Sequence, residues 1–217
     1  MKAAAIIVAG GSGKRFGSKK PKQFLTLAGK PMFMRSVETF AGIKEFKQII
    51  LVVPKQYLKT SRSKKHITVE GGKERFNSVQ NGLAAVSKDI DFIAVHDAAR
   101  PLISKRDILA VLNKAAKCSA AIVVEKTKDT IKTAKNNFVT GTLDRTLLWN
   151  VQTPQIFKAG LLKKVYSKKI STKTTDDSML VEKAGVKVAI VETTSPNFKI
   201  TTQQDFELAK LILKRKG

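Results

Sequence analysis

Short apolar runs recur along the chain and alternate with stretches of helical periodicity. The runs are typical of strands buried on both faces, and they lie at residues 3–8, 48–53, 67–69, 92–95, 120–124 and 186–191. Apolar positions at helical spacing predict helices over residues 31–40, 77–86, 104–116, 159–167, 177–184 and 203–213. Because strand and helix alternate with short connections, the pattern predicts an α/β fold with a mostly parallel, doubly wound sheet.

This alternation is interrupted at about residues 126–149, which are polar and rich in threonine and lysine. Asn136 and Asn137 indicate a turn between two extended pieces. We therefore expect a single domain over residues 1–217, with a β-hairpin arm that protrudes from it. A lone hairpin is marginally stable, so a partner should cover the arm, and a symmetric homodimer is the simplest arrangement.

The chain is strongly basic, with 41 Lys and Arg against 17 Asp and Glu and a net charge of +24. Such a charge fits either a nucleic-acid-binding protein or an enzyme with small polyanionic substrates. The basic residues are mostly lysine and are scattered over every segment, and the few aromatic residues do not interleave with them as a base-stacking surface requires. A solvated, lysine-rich surface is therefore favoured over a nucleic-acid partner.

Membrane and secretory roles receive no support from the sequence. No apolar run approaches ~20 residues, so no membrane association is expected, and the first residues lack the pattern of a signal peptide. The single cysteine, Cys118, cannot form an internal disulfide. We expect it to be a buried structural thiol, and the chain to be cytoplasmic.

The first predicted strand leads into a glycine-rich loop. Gly10, Gly11 and Gly13 allow several backbone N–H groups to face one ligand. Cationic side chains follow closely: Arg15, Lys19, Lys20 and Lys22. The combination predicts a polyphosphate-binding loop, although its spacing matches neither the P-loop nor the dinucleotide-binding fingerprint. A glycine-rich turn without a ligand is the alternative.

Two further segments follow predicted strands, at residues 71–78 and 96–101. Ligands of open parallel sheets bind outside the carboxyl ends of the strands, so both segments should meet the glycine-rich loop in one crevice. In the first of them, Gly71, Gly72, Arg75 and Ser78 offer N–H groups and a hydroxyl at a helix start, which suits a ribose, a base edge or a phosphate. A plain helix-capping turn fits these residues equally well.

Asp97 is the sharpest candidate, because a carboxylate directly after a buried strand is suited to holding Mg²⁺ for a nucleotide-dependent transfer. We expect His96 to be a loop residue bonded to backbone rather than a base. Asp176 and Asp177 could form a second metal site, but a helix cap is the favoured role. One Cys and two His exclude a metal site built from those residues, and no Gly-x-Ser-x-Gly motif indicates a serine hydrolase.

Several short motifs occur in order along nearly the whole chain. They lie at residues 9–15, 21–24, 71–79, 95–101, 129–130, 144–145, 152–155, 175–177 and 197–200. Any one of them is weakly specific, but in this order they are strong evidence. The chain resembles the 2-C-methyl-D-erythritol 4-phosphate cytidylyltransferases of the non-mevalonate isoprenoid pathway.

The resemblance implies a Rossmann-like nucleotidyltransferase fold, a homodimer formed through the arm, and CTP, Mg²⁺ and a polyol phosphate as reagents. It implies catalytic roles for Arg15, Lys22, Arg145 and Lys199. It implies CTP contacts from Ala9, Gly10, Gly11, Gly13, Arg15, Lys22, Gly72, Ser78 and Asp97, the last also holding the metal. Contacts to the sugar phosphate would come from Arg100, Thr130, Arg145, Thr153, Thr175 and Lys199, with Thr130 and Arg145 reaching the neighbouring subunit's site from the arm.

One departure from the family pattern leaves two candidates for the acceptor substrate. The loop begins Ala-Gly-Gly at residues 9–11, whereas the methylerythritol enzymes more often have two alanines before one glycine. The Ala-Gly-Gly form is frequent in the related ribitol-5-phosphate cytidylyltransferases. Residues 75–79 and 96–100 look closer to the methylerythritol branch, so ribitol 5-phosphate is the alternative acceptor.

Overall fold

The computed structural model describes residues 1–10, 16–17, 20–167 and 176–215. In chain order the strands are β1 (Ala3–Val8), β2 (Thr26–Leu27), β3 (Lys30–Pro31), β4 (Phe46–Val53), β5 (Ile67–Glu70), β6 (Phe92–Asp97), β7 (Ala120–Lys126), β8 (Lys132–Lys135), β9 (Phe138–Thr142), β10 (Trp149–Lys158) and β11 (Ala189–Glu192). The helices are α1 (Met32–Ala41), α2 (Arg75–Ala84), α3 (Lys105–Cys118), α4 (Ala159–Tyr166), α5 (Ser178–Lys183) and α6 (Gln203–Lys214).

The core is a seven-stranded sheet in the order β11-β7-β10-β6-β1-β4-β5. Strand β1 pairs in parallel with β4 and β6, β4 with β5, and β7 with β11. The chain leaves β1 toward β4 and β5 and then returns across it to β6, so the strand order reverses between β1 and β6. Such a reversal opens a crevice at the carboxyl ends of the two strands.

Helices cover both faces of this sheet, which confirms the doubly wound architecture. Val37 of α1 and Ile108 of α3 are buried in the cluster on one face. Val79 of α2, Leu162 of α4 and Leu180 of α5 are buried in the cluster on the other. Burial of these apolar faces is the main force that holds the helices on the sheet.

A third, smaller cluster joins α6 to the segments around the crevice. Its buried members are Leu27, Met32, Leu102, Ile200, Phe206 and Ala209. Phe16, next to the glycine-rich loop, packs against it and meets the Phe206 ring edge-on at a centroid distance of 5.8 Å. Helix α6 therefore supports the crevice from outside the sheet.

Strand β10 is the main feature that the sequence pattern missed. It is antiparallel to both β6 and β7 and lies inside the sheet. Its buried side chains include Gln152, Thr153 and Gln155, and the Thr153–Pro154 peptide is cis. Apolar periodicity fails over this strand, because these three polar side chains are buried with hydrogen-bond partners and the apolar Ile156 and Phe157 form too short a run.

The arm has the predicted form, since β8 and β9 pair as an antiparallel hairpin. Asn136 and Asn137 occupy its turn with φ of 50° and 66°, a conformation that asparagine tolerates better than most residues. The apolar side chains of Phe138 and Leu147 are 77% and 76% exposed. These residues are a strong candidate for an interface.

One expectation about the cysteine was wrong. Cys118 is exposed, because it ends α3 on the solvent side, one residue before the left-handed Ser119. Among the described residues, no helix is long and apolar enough to cross a bilayer.

Candidate active site

Three segments meet at the carboxyl edge of the sheet, as the sequence predicted. The Ala98 N–H donates to the Val8 carbonyl at 3.0 Å, which joins the loops after β6 and β1. The Ala9 N–H donates to the Val52 carbonyl, and the Gly71 N–H donates to the Val53 carbonyl, both at 2.8 Å. The ends of β1, β4, β5 and β6 are thereby fixed beside one another.

Ser78 lies where two of these segments touch. Its hydroxyl accepts from the Gly72 N–H at 3.1 Å and donates to the Glu74 carbonyl at 3.1 Å. A Cβ on Gly10 would lie 3.5 Å from the same hydroxyl, so the glycine-rich loop approaches it closely. A Cβ on Gly72 would lie 2.2 Å from the Asn77 Cβ, so this turn requires glycine. The pocket wall at Ser78 is built from backbone and small side chains.

Asp97 ends β6 and faces two cations. Lys199 Nζ lies 2.7 Å from one carboxylate oxygen, and Arg75 Nε lies 3.4 Å from the other. Burial alone would raise the pKa of Asp97, but the charges of Arg75, Lys199 and Arg100 outweigh it and hold the pKa well below its usual range. Asp97 is therefore ionised at neutral pH.

Arg75 connects Asp97 to a second, fully buried carboxylate. Its guanidinium donates two bonds to Asp177, of 3.0 and 2.6 Å, and the Tyr166 hydroxyl donates to the same carboxylate. Burial would lower the pKa of Arg75, but Asp177 and Asp97 raise it overall. Burial and the charge of Asp177 raise the pKa of Tyr166. Arg75 is thus a permanent cation that bridges Asp97 and Asp177.

The predicted helix cap at Asp177 was wrong for that side chain. Asp176 makes the capping bond instead, accepting from the Met179 N–H at 3.0 Å. The Asp177 carboxylate points into the protein, because Arg75 and Tyr166 supply partners that a solvent-exposed cap would not offer.

His96 was expected in a loop, but it lies within β6 and is fully buried. Its Nε2 lies 3.1 Å from the Arg100 carbonyl, the backbone bond that we expected. Its Nδ1 lies 3.0 Å from the Thr153 hydroxyl, which accepts from the Asp97 N–H at 3.0 Å. Burial lowers the pKa of His96 to about 4, so the ring is neutral and fixes Thr153 and the backbone of Asp97.

The loop that carries Lys199 is held by buried polar groups. Arg100 donates to the Asn197 carbonyl at 2.9 Å. The Asn197 amide donates to the Gln152 side chain and to the Thr153 carbonyl, both at 2.8 Å. This loop and β10 therefore form one unit at the rim of the crevice.

The other predicted residues are distributed as follows. Lys22 is buried in the short helical turn Lys22–Phe24, and the ring of Phe24 stacks on Tyr57 at 3.9 Å. Thr130 and Arg145 are exposed on the arm, where Arg145 donates to the Lys128 carbonyl at 3.0 Å. Gly11, Gly13, Arg15 and Thr175 lie outside the described residues.

Sequence reasoning placed Arg75 in the possible ligand turn and considered Asp177 for a metal site or a helix cap, but it did not pair these two residues. It gave no role to Tyr166. Arg75 and Asp177 are 102 positions apart, and only the tertiary fold brings them together. The available signal was an arginine three positions after two glycines that follow a strand. Within the described part of the chain, no group of three or more His, Cys, Asp or Glu side chains forms a metal cluster.

Comparisons with known proteins agree with this geometry. Residues 3–215 match the sequence model of the family described as IspD, 2-C-methyl-D-erythritol 4-phosphate cytidylyltransferase. A protein of that name from Endomicrobium trichonymphae is 62% identical over 99% of this chain and 100% of its own length. Another from Caldanaerobacter subterraneus is 39% identical, again over 99% and 100%.

Solved structures give the same result. The 4-diphosphocytidyl-2C-methyl-D-erythritol synthase of Anaerococcus prevotii superposes with a TM-score of 0.85 at 31% identity, covering 98% of both chains. The 2-C-methyl-D-erythritol 4-phosphate cytidylyltransferase of Thermus thermophilus gives 0.83 at 29% identity over 99% and 100%. The chain therefore belongs to the 2-C-methyl-D-erythritol 4-phosphate cytidylyltransferase family.

Proposed function

We propose that this chain transfers CMP from CTP to 2-C-methyl-D-erythritol 4-phosphate, giving 4-diphosphocytidyl-2-C-methyl-D-erythritol and pyrophosphate for isoprenoid synthesis. The family match over residues 3–215 carries this proposal. The crevice where the strand order reverses, between β1 and β6, offers a site for the reaction. There the Asp97 carboxylate lies in direct contact with Lys199.

The chemistry requires one bond to form and one to break. An oxygen of the acceptor phosphate attacks the α-phosphorus of CTP, and the bond from that phosphorus to the departing pyrophosphate breaks. No covalent enzyme intermediate is needed, so the protein acts by positioning two anions and stabilising the charge of the transition state. Two anions approach each other closely only when cations lie between them.

On the CTP side we assign this role to Arg15 and Lys22. Lys22 is buried in a turn anchored by the stacked rings of Phe24 and Tyr57, so its ammonium is held in a restricted position. A preorganised cation stabilises developing charge without the reorganisation that a mobile surface lysine requires. The glycines of the loop and Gly72 with Ser78 bind the rest of the nucleotide.

On the acceptor side we assign binding of the acceptor phosphate to Lys199. The family resemblance adds Arg100, Thr153 and Thr175 as further contacts to this substrate. Lys199 is 43% exposed, so its ammonium can turn from Asp97 toward an incoming phosphate. Arg100 and Thr153 already bond to the protein, which favours a role in shaping the acceptor site. Lys199 is thus the main acceptor-side cation on this chain.

Asp97 suits Mg²⁺ as a single protein ligand. Mg²⁺ in nucleotide sites is commonly bound by one or two carboxylates together with substrate phosphates and water, so one ionised carboxylate at the crevice is a sufficient protein contribution. When bound, the ion would neutralise charge on the phosphate oxygens. Asp97 would hold it, while Arg75 and Lys199 keep that carboxylate ionised.

We further propose that the chain acts as a homodimer through its arm. The exposed apolar side chains of Phe138, Val139 and Leu147 lie on or near a two-stranded hairpin that has little core of its own. A second copy covers both arms at once in a symmetric pair and brings Thr130 and Arg145 toward the partner's site. We expect a cytoplasmic location, where an exposed Cys118 stays reduced.

The decisive experiment measures pyrophosphate release with CTP and Mg²⁺, offering methylerythritol 4-phosphate and ribitol 5-phosphate separately. Release with the first acceptor alone is the expected result. Release with ribitol 5-phosphate alone would move the enzyme to the polyol branch. No release with either would remove the cytidylyltransferase function, and salt-sensitive retention on DNA that CTP does not compete would then support a nucleic-acid partner.

A further inference from the structure

Asp97 is held from two sides by cations that differ in how firmly they are fixed. Lys199 approaches one oxygen from a flexible, half-exposed stem. Arg75 approaches the other oxygen with a side chain that is 31% exposed and bonded at its far end to the fully buried Asp177. The planar guanidinium uses separate N–H groups for the two carboxylates, which an ammonium cannot reproduce.

Asp177 is itself anchored on several sides. Its carboxylate accepts from the Tyr166 hydroxyl, and its backbone N–H donates to the Gln155 side chain at 3.1 Å. Gln155 lies in β10, which pairs directly with β6, the strand that carries Asp97. The path from Asp97 through Arg75 and Asp177 returns to the same sheet, so Arg75 has little freedom to move.

The two cations therefore have separable tasks during turnover. Lys199 must leave Asp97 if it is to bind the acceptor phosphate, and one carboxylate oxygen then loses its partner. A carboxylate that keeps one protein contact holds its orientation only if that contact is itself fixed. Arg75 stays in place, because its guanidinium donates two bonds to the fully buried Asp177.

We propose that Arg75 is a positioning residue that keeps Asp97 oriented while Lys199 transfers to the acceptor phosphate. This proposal rests on the roles assigned above to Asp97 and Lys199. Arg75 acts through Asp97, so its contribution to turnover should disappear when Asp97 can no longer accept a charged hydrogen bond.

The test is a double-mutant cycle between Arg75 and Asp97. Replacing Arg75 alone would leave Asp177 buried without its cation, so the pair is neutralised together as Arg75→Gln with Asp177→Asn. We expect kcat to fall by about 10- to 100-fold, while metal-free CTP binding, measured by calorimetry in EDTA, changes less than about threefold. In an Asp97→Asn background the same pair of changes should lower kcat by less than about threefold further.

Losses of kcat that are independent of Asp97 would overturn the proposal. If the effects on kcat multiply in the combined variant, Arg75 does not act through Asp97. If CTP binding weakens as much as kcat falls, Arg75 serves nucleotide affinity instead. Asp177→Asn alone keeps Arg75 beside Asp97 but weakens its anchor, so we expect a smaller fall in kcat than in the neutralised pair. An unchanged kcat in this variant would contradict the role of Asp177 as the anchor of Arg75.

A second variant covers the case in which the neutralised pair does not fold. Arg75→Lys keeps the buried charge but cannot reach both carboxylates in the same geometry, and it should reproduce the fall in kcat and the lack of additivity with Asp97→Asn. Wild-type turnover with CTP and methylerythritol 4-phosphate separates the two claims. Its absence would refute the proposed function, whereas normal turnover in the Arg75 variants would refute this inference alone.

Discussion

Lys22 lies buried in a turn, whereas most lysines of this chain are exposed. We expect Lys22→Ala to lower kcat by ~10²-fold or more, because a fixed cation is lost from the transition state. The fold should persist, with a far-ultraviolet circular dichroism spectrum like that of the wild type. Lys117→Ala, on the exposed side of α3, is the matched control and should turn over normally. Equal activity in both variants would remove Lys22 from the catalytic site.

His96 makes a second prediction at this scale, concerning stability. Its folded-state pKa of about 4 lies below the ordinary value, so the unfolded chain takes up the proton first as the pH falls. The contribution of neutral His96 is present above about pH 6.5 and is lost as the pH falls toward 4. We expect the free energy of unfolding to decrease by about 2 kcal/mol between about pH 7 and about pH 5 from this group.

Urea titrations at the two pH values measure that decrease. His66 is also buried with a lowered pKa, so the wild type alone cannot isolate His96. The variant His96→Gln should show a smaller difference between the two pH values, while His66→Gln should retain the larger part. An unchanged pH slope in His96→Gln would contradict the assignment of a neutral, buried ring.

At the scale of elements, α2 packs closely on the sheet through Gly82. A Cβ added there would lie 2.6 Å from Ile6 Cγ2 and 3.2 Å from Val52 Cγ2, both in fully buried side chains. We expect Gly82→Ala to destabilise the protein by about 1–3 kcal/mol, because overpacking exceeds the gain in helix propensity. Thermal or urea unfolding gives the value.

Gly160 in α4 is the matched control for this prediction. A Cβ there meets nothing within 4 Å, so Gly160→Ala should leave stability unchanged or raise it by up to about 1 kcal/mol. If both substitutions raise stability, the contact between α2 and β1 has room for a methyl group, and the close approach is wrong.

The same scale shows what the sequence could predict. Strands such as β1 and β4 were evident, because β1 is apolar and buried throughout and β4 is apolar and buried over residues 49–53. Helix α2 begins at Arg75, two residues before the predicted start, because the Glu74 N–H and the Asn77 side chain bond to each other and close its first turn. Strand β10 was missed, since three of its buried positions carry glutamine or threonine and break the apolar pattern before Ile156 and Phe157.

The candidate site likewise has one part that the sequence could predict and one part that it could not. Residues next to a strand end, such as Gly72, Ser78 and Asp97, could be placed in one crevice because the rule for parallel sheets is local to each strand. The network of Arg75, Asp177 and Tyr166 could not, because it depends on contacts between helices that are distant in sequence. A hydrogen-bonded histidine in mid-strand likewise carries no periodic signal.

At the scale of the whole molecule, the proposed dimer depends on the arm. We expect the wild type to sediment as a dimer and the double variant Phe138→Asp with Leu147→Asp to sediment as a monomer, because charges cannot be buried unpaired in an apolar interface. Leu211→Asp, at a leucine of α6 that is 59% exposed, is the control and should remain dimeric. Identical sedimentation of all three proteins would exclude the arm as the interface.

The packing of α6 has a consequence for the order in which the molecule is made. Leu27 and Met32 leave the ribosome early, whereas Phe206 and Ala209, which pack on them, emerge after every strand of the sheet. A nascent chain can therefore assemble its central sheet during translation, but Phe16 and the loop of Ile200 obtain their support only when α6 docks. We therefore expect nucleotide binding at the proposed site to require a docked α6, because Phe16 and Ile200 pack with this helix.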